Sequence, residues 1–131
     1  MKTLYKDRLI KLGDFLASVP DDKFDLENWR NNGEEGMDSD YSVDDEDLKT
    51  GCGTTGCAVG WACTIPEFKE AGLSYTGVTV SYGGLVCWAA VQEFFGLSFM
   101  EAQYLFSNAS YKANAGPYDV AERLYEASGV A

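Results

Sequence analysis

The chain has 131 residues, 46% apolar and 14% aromatic, a size and composition typical of one globular domain with its own core. Its 21 acidic and 10 basic residues give a formal net charge of −11, which argues against electrostatic binding to nucleic acid or to an anionic membrane. The sequence has no histidine, which excludes Ser-His-Asp and Cys-His catalysis.

The distribution of apolar residues and cysteines indicates a cytoplasmic protein. No stretch reaches the roughly 18 continuous apolar residues of a transmembrane helix, and no apolar signal-peptide core follows the charged N-terminus. We therefore expect the cytoplasm, of the host cell if the chain is phage-encoded, and reduced thiols. The spacing of Cys52, Cys57, Cys63 and Cys87 fits no paired zinc pattern, so we predict no metal and no cofactor.

Residues 3–19 predict an amphipathic helix that Pro20 ends. Its apolar stripe consists of residues at alternating gaps of four and three: Tyr5, Leu9, Leu12, Leu16 and Val19. The following segment, residues 24–29, is anchored by Phe24, Leu26 and Trp29. We expect the large indole ring of Trp29 to pack against the first helix.

Most of the net charge lies in one acidic segment. Eight acids and one base give residues 31–49 a charge of −7, and this self-repulsion predicts a mobile loop within a single domain of residues 1–131. A calcium loop is the alternative, but Val43 and Lys49 stand where an EF-hand requires glycine and glutamate. We expect the acids to bind a partner with a basic surface, through Asp38, Asp40, Asp44, Asp45, Glu46 and Asp47.

Residues 52–63 hold three of the four cysteines beside several glycines and threonines. We predict a helix start here, with Thr54 or Thr55 as the N-cap, and expect Trp61 to pack against the apolar helix further along. Glycine-permitted amides and threonine hydroxyls also favour a site for a small anionic ligand such as a phosphate or nucleotide. The candidate ligand-binding residues are Gly53, Thr54, Thr55, Gly56, Cys57 and Trp61.

The C-terminal half predicts a small β element and several helices. Thr64 and Glu67 have the spacing of a capping box, with Pro66 in the first turn of a short helix. Residues 73–82 alternate with period two and predict a short strand or hairpin. Residues 85–95 predict a helix that is apolar on nearly every face, and such a helix is usually the buried centre of a domain.

Two further helices complete the prediction. Ser98 and Glu101 form a capping box, after Gly96 has closed the preceding helix. A last helix begins at Gly116-Pro117 and ends at Gly129. The predicted fold class is thus α+β and predominantly helical: five or six short helices surround the 85–95 helix, with a small strand or hairpin near 73–82.

Three segments resemble a group of small, uncharacterised proteins from bacteriophages and bacteria. These segments are the aromatic stretch 24–29, the Cys-Gly-Thr-x-x-Cys-x-x-Gly-Trp pattern at 52–61, and the Gly-Leu-Ser-x-x-Glu-Ala-x-x-Leu-Phe pattern at 96–106. The resemblance covers about half of the chain, and the long acidic segment is an insertion relative to the pattern. It implies a phage or prophage setting and brings no established activity or catalytic residue.

Three functional hypotheses follow. The first is a non-enzymatic binding protein, a phage accessory factor that inhibits a host (defence) protein or sequesters a small molecule. The second is phosphate or nucleotide binding at the Gly-Thr-Thr-Gly helix start. The third is a thiol-dependent enzyme using Cys57 or Cys52. The alternative explanation of these cysteines is that they are buried and serve as small packing residues. The sequence does not predict the oligomeric state.

Overall fold

The computed structural model describes residues 2–31, 43–50, 54–77 and 79–129, and it confirms a predominantly helical α+β fold. Within these ranges the helices are α1 Thr3–Leu16, α2 Asp45–Thr50, α3 Ala58–Ala62, α4 Pro66–Glu70, α5 Cys87–Phe95, α6 Phe99–Phe106 and α7 Pro117–Ser128. The strands are β1 Arg30–Asn31, β2 Thr55–Gly56, β3 Ser74–Tyr75, β4 Val80–Tyr82 and β5 Leu85–Val86.

The first and last helices form the most extensive contact between elements, α1 against α7. The predicted apolar stripe of α1 is buried at Leu9, Leu12 and Leu16. The helix ends at Leu16, before the predicted boundary, because the N–H groups of Ser18 and Val19 bond to carbonyls three positions back, in tight turns. In α7 the predicted Gly116-Pro117 start is confirmed, and the Asp119 carboxylate accepts the N–H of Gly116 at 2.8 Å.

An aromatic cluster joins α4, α5 and α6 at the centre of the core. Phe94 and Phe95 are fully buried, and their ring centroids lie 5.0 Å apart at 90°, an edge-to-face geometry that favours aromatic pairs. Phe106 of α6 packs on Phe95 at 5.3 Å. The predicted capping box of α6 is confirmed, because Ser98 Oγ accepts the N–H of Glu101 at 3.1 Å and Glu101 Oε1 accepts the N–H of Ser98 at 2.8 Å.

The central helix differs from its prediction in two ways. It begins at Cys87, because the Gly83-Gly84 turn has positive φ at both glycines and folds residues 85–86 back onto β4 as β5. One face of α5 is buried through Ala90, Val91, Phe94 and Phe95, while Cys87, Ala89 and Glu93 are exposed. The helix is therefore a wall of the core with an open outer face.

The predicted strand or hairpin at 73–82 is part of a three-stranded antiparallel sheet, β3-β4-β5. Tyr75 pairs with Val80, and Tyr82 pairs with Leu85. Val78, which the alternating pattern included, lies outside the described residues. The sheet packs on α5 through β4, which supplies the apolar support that so small a sheet needs.

The predicted capping box at Thr64 and Glu67 is wrong. Ile65 is the N-cap of α4, with no side-chain capping bond, and Pro66 is the first helical residue as predicted. The Thr64 hydroxyl instead donates to the carbonyl oxygen of Trp61 at 2.7 Å, closing the end of α3. Buried hydroxyls require a partner, and the preceding helix supplies one for Thr64.

The end of the predicted acidic loop is helical. Residues 45–50 form α2, and the Asp44 carboxylate accepts the N–H of Asp47 at 2.8 Å, as an N-cap does. The acids in the first turn suit the positive end of the helix dipole. Residues 32–42 of that loop lie outside the described ranges, so its predicted mobility stays a prediction.

Gly60 allows the segment before β1 to lie directly on α3. A Cβ atom at this position would overlap the carbonyl oxygen of Trp29, which is backbone and cannot rotate away. The same carbonyl accepts the N–H of Cys57 at 3.2 Å, a bond shared with the carbonyl of Asn28. The contact between residues 28–30 and α3 thus requires glycine at position 60.

We predict that Gly60→Ala lowers the free energy of unfolding by about 3 kcal/mol or more, since overpacking against backbone cannot relax by a rotamer change. Gly84→Ala is the matched control, because nothing lies within 4 Å of its Cβ position. Its positive φ alone should cost only about 1–2 kcal/mol. Urea denaturation of both variants measures the difference, and equal losses would contradict the packing explanation.

Candidate functional site

Cys57, one of the predicted ligand-binding residues, is the N-cap of α3, where the sequence predicted a threonine. Its backbone is extended, and its Sγ accepts the N–H of Gly60 at 3.5 Å. The thiol is buried, with 3% of the residue exposed. Because Thr55 and Gly56 form β2 and pair with β1, the chain enters α3 from a strand, which leaves the cap to Cys57.

The structure does not assemble the predicted phosphate cradle from the residues it describes. Thr54 is buried, and its hydroxyl donates to the carbonyl of Asp47 at 2.7 Å and accepts from Lys23 Nζ at 3.1 Å. Gly56 pairs with Arg30 in the β1-β2 sheet, and its carbonyl accepts a hydrogen bond from the N–H of Asp25. These polar groups stabilise the fold, while Gly53 and Cys52 lie outside the described residues.

Trp61 is a core residue. Its ring packs on Phe15 of α1, with centroids 6.1 Å apart, and only 4% of the residue is exposed. Its Nε1–H donates to the carbonyl of Lys23 at 3.0 Å, so the buried indole has the partner that it requires. The prediction that Trp61 packs against the 85–95 helix is corrected by this contact with α1.

The described thiols divide into two buried ones and an exposed one. Burial raises the pKa of Cys57 to about 11 and that of Cys63 to about 12, since a thiolate is poorly solvated in an apolar interior. Both are therefore protonated at neutral pH and lack nucleophilic character. Cys87 is exposed at the start of α5, where the Thr79 hydroxyl donates to its sulfur at 3.2 Å.

The predicted partner-binding acids have different surroundings. Asp38 and Asp40 lie outside the described residues. Asp44 caps α2, and Asp45 forms ion pairs with Arg30 and Lys69. Within the described ranges, the carboxylates of Glu46 and Asp47 have no such bond, so they are the acids of α2 that remain available to a basic partner.

Arg30 is the buried centre of the charge cluster to which Asp45 belongs. Its side chain is 1% exposed, and it donates to the carbonyls of Gly60 and Val43 at 2.9 Å and to Asp45 Oδ1 at 2.8 Å. The guanidinium also lies 4.4 Å from the centre of the Tyr75 ring. A cavity of about 520 Å³ adjoins this cluster, but the arginine's donors are already occupied by the fold.

Burial of Asp45 alone would raise its pKa, but hydrogen bonds from Lys69 and Arg30 outweigh this effect. The pKa of Asp45 is consequently lowered from its ordinary value of 3.8. The carboxylate is therefore ionised at neutral pH, and it neutralises a cation that would otherwise be buried without a counterion.

A second cavity, of about 400 Å³, lies between residues 26–29 and the helices α5 and α6. We call it the tryptophan groove, because the rings of Trp29 and Trp88 meet in it with centroids 5.2 Å apart and planes tilted by 55°. Trp29 thus contacts α5 where the sequence predicted the first helix. The groove is lined by Leu26, Glu27, Asn28, Trp29, Cys57, Trp88, Gln103, Phe106, Ser107 and Asn108.

The tryptophan groove combines aromatic faces with a few polar groups. Trp29 and Trp88 are half-buried, while Phe106 behind them is 2% exposed. Glu27 supplies a carboxylate, and Asn28, Gln103 and Asn108 supply side-chain amides. Concave sites for ligands usually have this composition, an apolar floor with a small number of polar groups that fix orientation.

A smaller cavity of about 240 Å³ adjoins the groove and shares Leu26, Glu27 and Asn108 with it. Its other lining residues are Phe24, Asp25, Tyr111, Lys112 and residues 113–115. Residues 24–29 thus line the two adjoining cavities in succession.

Sequence reasoning identified Trp29 and Cys57 but missed most of this groove. The sequence predicts Trp88 in a helix that is apolar on nearly every face and forms the buried centre of the domain, and Gln103 and Asn108 carry no distinguishing pattern. One signal was present: α5 contains a tryptophan beside Cys87 and before two alanines, and small residues beside a large ring are consistent with an exposed helix face. The sequence could not predict that residues 26–29 face α5 and α6, because this arrangement depends on tertiary contacts between segments far apart in the chain.

No family model, curated protein or solved structure matches the chain. Among the described residues, no helix has both the length and the apolar character needed to span a bilayer. Nor do three or more cysteine or carboxylate side chains come together within those ranges in a way that could hold a metal ion. The assignment of function therefore rests on the geometry of the tryptophan groove.

The ion pair of Asp45 predicts how stability depends on pH. Because the folded pKa lies below the unfolded value of 3.8, the stabilisation is fully present above that pH and is lost as the pH falls through the folded pKa. Asp45→Asn should therefore destabilise the protein most at neutral pH, and the difference from the wild type should shrink below pH 3.8. Urea titrations across this range test it, with the exposed Glu46→Gln as the control; a pH-independent difference would contradict it.

The raised thiol pKa values predict selective alkylation. In native protein at neutral pH, iodoacetamide should modify Cys87 while leaving Cys57 and Cys63 unmodified, because the two buried thiols are protonated and inaccessible. Peptide mapping by mass spectrometry separates the three sites, and alkylation in denaturant is the control in which all three should react. Modification of Cys57 at the rate of Cys87 in the native state would contradict this prediction and favour Cys57 as the nucleophile of the thiol-enzyme hypothesis, whose alternative, Cys52, lies outside the described residues.

Proposed function

We propose that this protein is a non-enzymatic binding protein, a phage accessory factor that captures a host defence protein or a small molecule, and that the tryptophan groove is its binding surface. The observation that carries the proposal is a convergence of three segments. Residues 26–29, Cys57 and the Gln103–Phe106 part of α6 come from the three segments that resemble the phage and bacterial proteins, and all three line this one groove.

The motif residues themselves support this geometry by holding the walls in place. The N–H of Cys57 bonds to the carbonyls of Asn28 and Trp29, and Gly60 lets that segment lie on α3. The capping box of Ser98 and Glu101 fixes the start of α6, whose other end carries Gln103 and Phe106. The motif residues thus hold the walls of the groove in place, while the other side chains that line it can contact a ligand.

The two tryptophans favour a binding role. Tryptophan is enriched in the energetically dominant positions of interfaces, and covering apolar surface contributes about 25 cal/mol per Å². Half-buried Trp29 and Trp88 would gain this energy when a ligand closes the groove. Catalysis is less favoured, because the chain has no histidine and the described thiol in the groove, Cys57, has a raised pKa.

The acidic character supports a basic partner. Glu27 lines the groove, and the carboxylates of Glu46 and Asp47 have no described ion-pair partner. A net charge of −11 increases the rate of encounter with a cationic surface. A host protein with a basic surface therefore fits the proposal better than an acidic one.

The three tryptophans allow a direct test by fluorine NMR of protein labelled with 5-fluorotryptophan. We expect an active fraction of host extract to shift the signals of Trp29 and Trp88 while leaving that of Trp61, which is buried against Phe15. Single Trp→Phe variants assign the signals. The captured component should then bind Trp88→Ala at least about tenfold more weakly, as for other truncated aromatic anchors.

The control is Tyr118→Ala, an aromatic truncation on α7 that is 66% exposed and lines neither cavity; it should bind as the wild type does. Extract fractions that leave both groove signals unshifted would contradict the proposal. So would a captured component that binds Trp88→Ala and the wild type equally.

A further inference from the structure

The tryptophan groove presents a single charged side chain, Glu27, beside its aromatic rings. This residue is exposed, and within the described ranges its carboxylate has no hydrogen-bond or ion-pair partner. The backbone at Glu27 is held in place, because its N–H donates to Asp25 Oδ1 at 3.0 Å, while the N–H of Asp25 donates to the carbonyl of Gly56 at 3.0 Å. The groove therefore carries one negative charge, on a fixed stretch of backbone, together with two indole rings.

All three arginines of this chain stack on aromatic rings. Arg8 lies 4.0 Å from the Phe94 centroid, Arg30 lies 4.4 Å from that of Tyr75, and Arg123 lies 3.7 Å from that of Tyr111. None of the three is stacked on Trp29 or Trp88, although tryptophan has the face that attracts cations best. The residues outside the described ranges include no lysine or arginine, so they cannot supply another basic side chain.

We infer that the tryptophan groove binds an arginine side chain presented by an extended peptide segment of a partner protein. This inference rests on the proposed function and names its ligand. The guanidinium stacks on the exposed faces of Trp29 and Trp88 and pairs with the Glu27 carboxylate. The amide oxygens of Gln103 and Asn108 are acceptors for its remaining N–H donors.

Arginine fits this site better than lysine. A planar guanidinium can stack on an indole and still direct several donors sideways toward a carboxylate and amide oxygens, whereas an ammonium acts as a point charge. The groove offers acceptors of this kind beside its indole rings: the carboxylate of Glu27 and the side-chain amides of Gln103 and Asn108. A stacked guanidinium could donate to all of them.

The two adjoining cavities favour a peptide over a free small molecule. The groove and the smaller cavity share Leu26, Glu27 and Asn108, so that space continues along residues 24–29 beyond the tryptophans. Among the residues that line the smaller cavity, two acids, Asp25 and Glu27, outnumber the one base, Lys112. An extended chain, which rises about 3.3 Å per residue, can lie along the smaller cavity while its arginine occupies the groove.

The test compares two peptides that differ only in charge: acetyl-Gly-Gly-Arg-Gly-Gly-amide and the same peptide with citrulline, which has the shape of arginine without its charge. Calorimetry and the fluorotryptophan signals both report binding. We expect the arginine peptide to shift Trp29 and Trp88 but not Trp61. The citrulline peptide should bind at least about tenfold more weakly, from the lost cation–π and ionic contacts.

Glu27→Gln keeps the size of the side chain and removes its charge, and it should weaken arginine-peptide binding by about fivefold or more. The matched control is Glu126→Gln, an exposed position on α7 that lines neither cavity, and its affinity should equal that of the wild type. An unshifted Trp61 signal shows that both variants are folded.

Equal binding of the two peptides, or an unchanged affinity of Glu27→Gln, would overturn the assignment of a cationic ligand. Arginine amide binding as tightly as the peptide would overturn the extended-segment assignment in favour of a small-molecule site. If neither peptide shifts the tryptophans while a host fraction does, the ligand class is wrong and the binding function stands. If no host fraction shifts them but the arginine peptide does, the capture function is wrong and the arginine site stands.

Discussion

The structure around the candidate site depends on one buried cation, Arg30. Its guanidinium donates to the carbonyls of Gly60 and Val43 and to the carboxylate of Asp45, so it connects α3, the entry to α2 and its own strand β1. A buried charge is tolerated only when its donors are satisfied and a counterion lies close. Removing any of these partners would leave part of the cation unpaired, which makes the three elements mutually dependent.

The shape of the tryptophan groove depends on the bonds that Arg30 makes. Arg30 directly follows Trp29, and the bonds of Arg30 to α3 position the preceding carbonyl where Cys57 and Gly60 meet it. The indole of Trp29 then projects toward Trp88 on the outer face of α5. The candidate groove and the buried charge cluster are consequently built on consecutive residues, Trp29 in the groove and Arg30 in the cluster.

Several features determined by residues within one helical turn were predictable from the sequence. The cap at Ser98 and Glu101, the proline start of α7 and the stripe of α1 all depend on neighbours at most four positions apart, and all are confirmed. The cap of α3 and the role of Thr64 were missed, because each was decided by a competing partner. For Thr64 that partner is the carbonyl of Trp61, and for Thr54 it is a carbonyl of α2.

Long-range contacts were beyond sequence reasoning. Arg30 gave no local signal that it would be buried, since its acceptors lie 13 to 30 positions away. The tryptophan groove likewise depends on the meeting of residues 26–29 with α5 and α6. Residue composition indicated a strongly acidic protein, but only the packing of α5 showed which aromatic residues remain partly exposed.

The bonds of Arg30 also have a topological consequence. Arg30 donates to the carbonyl of Val43 at 2.9 Å, so these two residues are held together whatever the sequence of residues 31–42 between them. Closing such a loop costs only about 0.6 kcal/mol more for each doubling of its length. The Arg30–Val43 contact therefore separates the length of the intervening segment from the packing of the helices, so insertions or deletions between these two residues should cost the folded helices little stability.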